Sequence, residues 1–123
     1  MTVGVPRSPR RGEIWYINLP TDPTGTGKRP VVIVSTDARN AHPRATTVLV
    51  VPLSTSIAKD VPTHVYLAPG ETGLEASVLK AEDITVALKE NLYPSPDRLR
   101  DLSHARICDL AEKVRIAMGC DRK

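Results

Sequence analysis

The run Val31-Val32-Ile33-Val34, closed by Ser35, offers water no polar face, so any fold this chain adopts must bury it as a central strand covered on both sides. Pro30 stands directly before it and excludes the helical region for the preceding residue, which holds Arg29 extended at the strand mouth. Just upstream, Lys28 follows the turn Gly25-Thr26-Gly27, whose glycines expose backbone N–H groups with no side chain in the way. A guanidinium is always charged and matches phosphate oxygens bidentately. This corner can hold a phosphate; the same residues also suit a surface arginine at the start of a strand.

The rest of the chain is punctuated in a similar style. Glu13-Ile14-Trp15-Tyr16-Ile17-Asn18-Leu19 alternates well enough for a strand and is stopped by Pro20-Thr21-Asp22-Pro23. Thr46-Thr47-Val48-Leu49-Val50-Val51 is rich in β-branched residues, and Pro52 just beyond predicts an edge or a bulge, because it cannot donate to a ladder. Residues 63–67, 77–81 and a short stretch at 84–86 complete six predicted strands, with Gly70 and Gly73 marking a connection. Spacing of this kind favours a small barrel. After Pro94 and Pro96, Ser103 is placed to cap a helix whose apolar Ile107, Leu110, Ala111, Val114, Ala117 and Met118 recur at three and four, with Gly119 closing it. The expected fold is mainly β with a C-terminal α-helix. It forms one domain over residues 11–119, behind a flexible basic arm at 1–10 and before a short tail at 120–123.

Composition narrows the functional classes. A chain of 123 residues can bury roughly two thirds of its unfolded surface in one domain. It has no Phe, one Trp and three Tyr, so the core must come from Val, Leu, Ile and Ala, and aromatic stacking platforms for nucleic acid are poorly supplied. With 17 Lys and Arg against 14 Asp and Glu, the net charge of +3 permits an anionic partner without requiring one. Cys108 and Cys120 have no metal-ligand spacing and read as reduced thiols. No apolar run approaches the ~18–20 residues of a membrane span and residues 1–11 lack a signal peptide's apolar block, so a cytoplasmic protein without a membrane partner is expected. His42, His64 and His104 share no short spacing with Cys, Asp or Glu, and there is no Walker loop, GxGxxG or GxSxG. Neither a metal nor a cofactor is expected.

What remains is Arg29 and a set of hydroxyls. Ser54-Thr55-Ser56 ends the strand at Pro52, where three adjacent hydroxyls can bond phosphate oxygens or simply satisfy a turn. In Lys80-Ala81-Glu82-Asp83, the two-residue period puts Lys80 and Glu82 on one face, where a solvated ion pair is the ordinary outcome.

Taken together, Arg11-Gly12-Glu13-Ile14-Trp15, Asp22-Pro23-Thr24, Arg29-Pro30-Val31, Val51-Pro52-Leu53-Ser54, Pro62-Thr63-His64-Val65, Ser77-Val78-Leu79 and Glu82, in this order, resemble the MazF/PemK (Kid) toxins over about residues 11–119. The resemblance implies an SH3-like barrel of the MazF/CcdB type and a homodimer. It also implies a toxin that is a metal-independent, sequence-specific endoribonuclease cutting single-stranded RNA, neutralised by a cognate MazE-like antitoxin. The ribose 2′-hydroxyl would attack its own phosphate, leaving 2′,3′-cyclic phosphate and 5′-hydroxyl ends. Arg29 would stabilise the phosphorane or protonate the leaving oxygen, Ser54 would orient the phosphate, and Glu82 would be the base. Lys28, Thr55, Ser56, His64 and Lys80 would contact RNA. Two departures stand out: a loop before Arg29 shorter than in many relatives, and Thr85 where an arginine is common. Two alternatives keep the fold and drop catalysis, a CcdB-like gyrase poison and a passive RNA-binding module.

Overall fold

The computed structural model describes residues 8–18, 27–96 and 98–119. Seven strands, β1 (Ile14–Asn18), β2 (Lys28–Ile33), β3 (Thr47–Ser54), β4 (His64–Leu67), β5 (Ser77–Lys80), β6 (Thr85–Leu88) and β7 (Tyr93–Pro94), build one antiparallel sheet. Its order is β4-β5-β3-β2-β1-β7 with β6 added on β3, so among the described residues strand pairing runs from one end to the other without closing on itself. A short helix α1 (Asp37–Ala41) follows β2, and the long helix α2 (His104–Met118) ends the described chain. The mainly β architecture with a C-terminal helix is the one expected.

Alternation along β2 and β3 splits the core between the two sheet faces. Val32, Val51 and Leu53 join Ile14, Val65, Leu67, Leu79, Leu102, Ile107 and Leu110 under α2. Val31, Ile33, Val48 and Val50 turn the other way and pack with Ile17 and Ala87, partly covered by Trp15 and Leu92. This is why the chain needs an unbroken apolar run at 31–34. The strand itself starts earlier than expected, because pairing of Asn18, Ile17 and Tyr16 with Lys28, Arg29 and Pro30 recruits all three into β2.

Two further sequence expectations are corrected. Pro52 marks neither an edge nor the end of its strand: β3 continues to Ser54 through the middle of the sheet. On one side its partner changes from β6, last paired at Val50, to β5, first paired at Leu53, so a missing N–H facing that gap breaks no ladder. The helix at 104–118 forms as expected, with Ser103 Oγ accepting from the Arg106 N–H and Gly119 closing it at φ 72°. Only Ile107 and Leu110 are buried on it, however, with Val114 half-buried against the same core; Ala111 and Ala117 are exposed and Met118 is 77% exposed, because the packed stripe is narrower than the apolar one and the last turn runs past it.

The expected arm at 1–10 falls largely outside the described residues, as does the tail at 120–123. Of its described part, Pro9 is buried and the Arg10 N–H donates to Glu13 Oε1 at 2.8 Å. Gly12, at φ 94°, answers to close packing: a Cβ there would lie 2.8 Å from the Leu102 carbonyl oxygen, and the Gly12 carbonyl accepts the Leu102 N–H at 2.8 Å. Leu102 thereby leads the chain from the sheet's edge into α2.

Candidate active site

The β2–β3 register positions the two side chains on which the sequence reading depends. Val31 faces Pro52 where the β2–β3 ladder ends; Arg29 lies two residues before the one and Ser54 two residues after the other, so the two-residue period puts both on the same face of the sheet. Both line one open groove of about 850 Å³, with Tyr16 and Pro30 from β1 and β2, Thr55 and Ser56 beyond β3, and Thr85 at the start of β6. Pro30 and Pro52 stiffen the two strand ends that carry the pair, so a guanidinium and a hydroxyl are held toward one space by backbone that cannot easily swing.

The other expected residues divide into those the fold brings to this groove and those it does not. Thr55 and Ser56 line it, and the Ser56 N–H donates to Ser54 Oγ at 3.1 Å, which fixes that oxygen as an acceptor in the turn and leaves its hydrogen for another partner. Lys28 lies outside the lining, its ammonium 4.2 Å from the centre of the Tyr93 ring. Lys80 also lies outside it, paired across strands with His64. His64 is buried, with Nε2 3.3 Å from Glu82 Oε2 and Nδ1 buried without a hydrogen-bond partner among the described residues. Glu82 does not line the groove either. One carboxylate oxygen accepts from Thr63 Oγ1 at 2.8 Å and the other meets His64. The backbone N–H of Glu82 itself, then Thr63 and His64, hold its carboxyl below the usual carboxylate value. The Gly25-Thr26-Gly27 turn and Asp22-Pro23-Thr24 lie outside the described residues except for Gly27.

Tyr16, Leu74, Glu75, Ser77 and Asp83 also line the groove and were not among the expected site residues. Asp83 adjoins Glu82, but the turn Ala81–Asp83 is a 3-10 turn rather than a strand continuation, so the face expected from a two-residue period was lost there and the second carboxylate faces the groove in place of the first. Glu75 and Ser77 flank the start of β5, a position the sequence marks only by a nearby glycine. Among the described residues no group of three His, Cys, Asp or Glu is placed to hold a metal ion, and no helix is long and apolar enough to cross a membrane.

Residues 10–118 match the family described as PemK-like, MazF-like toxin of type II toxin–antitoxin system. The chain belongs to the PemK/MazF family. The endoribonuclease MazF9 of Mycobacterium tuberculosis is 34% identical over 115 residues, spanning 87% of this chain and 93% of that protein. Among solved structures, an endoribonuclease in complex with its cognate antitoxin from a mycobacterial species superimposes with a TM-score of 0.73 at 26% identity, covering 94% of this chain and all of that one. A MazE–MazF crystal structure from Deinococcus radiodurans, at 19% identity, shares the fold with a TM-score of 0.69 over 94% of this chain and all of that one. As a MazF-family member the chain is a toxin endoribonuclease of a toxin–antitoxin system, and the gyrase-poison and passive-module alternatives fall away.

Proposed function

We propose that this MazF-family toxin cleaves single-stranded RNA at chosen sequences without a metal, using Arg29 and Ser54 on one scissile ribose–phosphate link. The observation that carries the reading is that the two side chains line a single groove, from neighbouring strands whose ladder ends two residues away from each of them. RNA supplies its own nucleophile, so the protein needs only to align the 2′-hydroxyl, offset charge on the phosphorane and deliver a proton to the 5′-oxygen. Arg29 offsets the charge on the phosphorane and gives the leaving 5′-oxygen its proton as the P–O bond breaks, while Glu82 keeps the proton taken from the 2′-hydroxyl until both groups exchange with water. Ser54, with its lone pair already engaged by the Ser56 N–H, donates its hydrogen to a phosphate oxygen and orients it. A preorganised donor of this kind is typically worth ~10²–10³ in rate. Thr55 and Ser56 add neutral donors along the same wall.

Glu82 is proposed as the base that takes the 2′-hydroxyl proton; it lies outside the groove lining, next to Asp83, and has to release its Thr63 bond and turn toward the link to do so. His64 then acts by holding the other carboxylate oxygen rather than by touching RNA. Lys28 and Lys80, outside the groove lining, attract the RNA backbone as it enters and leaves. The partner proposed is an antitoxin, as a mycobacterial endoribonuclease of this fold is found in complex with its cognate one; we take it to be of the MazE type, acidic and laid over the Arg29–Ser54 groove, with the toxin a homodimer in the cytoplasm.

The test is incubation of the purified protein with a long RNA in EDTA. Discrete fragments bearing 5′-hydroxyl ends are expected, with loss of cleavage in Arg29→Ala and Ser54→Ala. Intact RNA, or cleavage by Arg29→Ala at the wild-type rate, overturns the reading. Light scattering that finds a monomer at micromolar concentration removes the dimer from it.

A further inference from the structure

The groove that must receive a polyanion is lined by two carboxylates. Glu75 lies on the connection before β5 and Asp83 ends the 3-10 turn after it, and both share the cavity with Arg29, the one cation among the described residues of its lining. Several carboxylates elsewhere are engaged: Glu71 by Arg106, Glu82 by Thr63 and His64, Asp37 by the Arg11 N–H, and Glu112 by Arg115. Glu75 and Asp83, like Asp60, Glu90 and Asp101, have no such partner among the described residues, and of these five only Glu75 and Asp83 line the Arg29 groove. A third group makes the same point independently. Ser77 is only 2% exposed, lines the same groove, and its Oγ is buried without a hydrogen-bond partner among the described residues. A buried hydroxyl left unpaired is unfavourable, and unlike Arg11 Nε and His64 Nδ1, the other such atoms among the described residues, this one belongs to a residue of the groove lining, so an occupant there can supply its partner.

The chemistry of that occupant follows from what a carboxylate can do. An ionised carboxylate only accepts hydrogen bonds, and it repels phosphate. What RNA can give it are base N–H and amino groups. Guanine presents two neighbouring donors, N1–H and the N2 amino group, that match the two oxygens of one carboxylate; cytosine and adenine each offer one amino group. Uracil offers a single N–H set between two carbonyl oxygens, which a carboxylate disfavours. We propose that Glu75 and Asp83, assisted by the Ser77 hydroxyl, read the bases beside the scissile link, selecting amino-bearing bases, guanine above all, against uracil. This rests on the endoribonuclease reading above. Arg29 and Ser54 then hold the phosphate, a contact that carries no sequence information, while the opposite wall carries the word.

The test digests a pool of RNAs with a randomised window, using wild type, Glu75→Gln, Asp83→Asn and Ser77→Ala, and sequences the 5′-hydroxyl ends. Both carboxylates are exposed and the amides keep their size, so the variants fold as wild type does. Wild type is expected to require an amino-bearing base next to the cut, and to lose about tenfold or more in kcat/KM when guanosine there becomes inosine or uridine. Glu75→Gln or Asp83→Asn abolishes that preference at one position and admits uracil, because an amide both donates and accepts. Each also binds unrelated RNA at least as tightly as wild type, since a charge facing phosphate has gone. Ser77→Ala weakens the same preference by a smaller factor. An unchanged word in both carboxylate variants overturns the inference, as does a wild-type word with uracil at every flanking position. Loss of cleavage on all words alike, with the preference intact, also overturns it and makes the carboxylate a catalytic base instead. A wild type that leaves every RNA whole fails the nuclease reading itself, and this inference with it.

Discussion

Glu71 and Glu75 sit four residues apart on one connection and do opposite things. The Glu71 carboxylate accepts the Ala68 N–H at 2.7 Å and both Nε and Nη2 of Arg106 at 3.0 and 3.2 Å, which straps the connection to α2. Around it the Thr72 carbonyl accepts the Arg100 N–H, and Gly73, at φ 88°, is pressed so close that a Cβ would come within 2.7 Å of the Arg98 carbonyl oxygen. Glu75 faces the groove with no such tie among the described residues. One half of the segment is consumed by the fold so that the other can stay open to a ligand. Charges that stabilise and charges that recognise are thereby kept in separate places, which lets substitutions tell them apart.

The largest contrast comes from the groove. Arg29→Ala should lower kcat by on the order of 10²–10³ while leaving the melting temperature unchanged, since its side chain reaches into an open cavity and holds no core together. A variant that melts earlier in step with its lost activity would erase the distinction between the two regions. On the other side, Leu110→Ala removes a side chain 2% exposed beneath α2 and should cost about 2–5 kcal/mol, read by denaturant titration, with kcat of the remaining folded protein preserved. Gly73→Ala is next, about 1–3 kcal/mol from a positive φ and a carbonyl in the way. If that substitution also alters the cleaved sequence, the anchored half of the connection sets the open half.

The smallest effect sharpens the comparison through pH. Arg106, then the Ala68 N–H, hold the Glu71 carboxyl below its ordinary value. A depressed carboxylate contributes stability that is complete above the unfolded value near 4.5 and is lost as pH falls through the lower folded value. Both partners are partly exposed, so the pair is worth about 1 kcal/mol at most. Glu71→Gln should lower the neutral-pH melting temperature by a few degrees and flatten the acid limb of the stability profile, by calorimetry between pH 3 and 7. A profile identical to wild type would show that the strap adds nothing beyond packing.

Much of this fold could be read from the residues, and the failures have physical reasons. All six expected strands and the capped helix are present, because β-branched runs bounded by proline and glycine, and a serine placed before a three-four repeat, are local signals. The helix α1 was missed although Thr36 caps it by accepting the Arg39 N–H, since five residues carry too little periodicity to stand out. β7 was missed because two residues become a strand only through pairing with Trp15 and Tyr16. For the site, Arg29 and Ser54 were legible as chemistry, while Glu75, Ser77 and Asp83 were not, since nothing near them in the chain announces a groove.

By itself the sequence determined the strand pattern, the capped helix, an apolar run that must be buried on both faces, and an arginine held extended before it. Those follow from backbone sterics and local periodicity, which act between near neighbours. Only the tertiary structure decided that Arg29 and Ser54 line one groove, that Asp83 rather than Glu82 turns into it, and that α2 runs past the core after Val114. Such facts depend on register and on where partner strands end, and these are fixed by contacts between residues far apart in the chain.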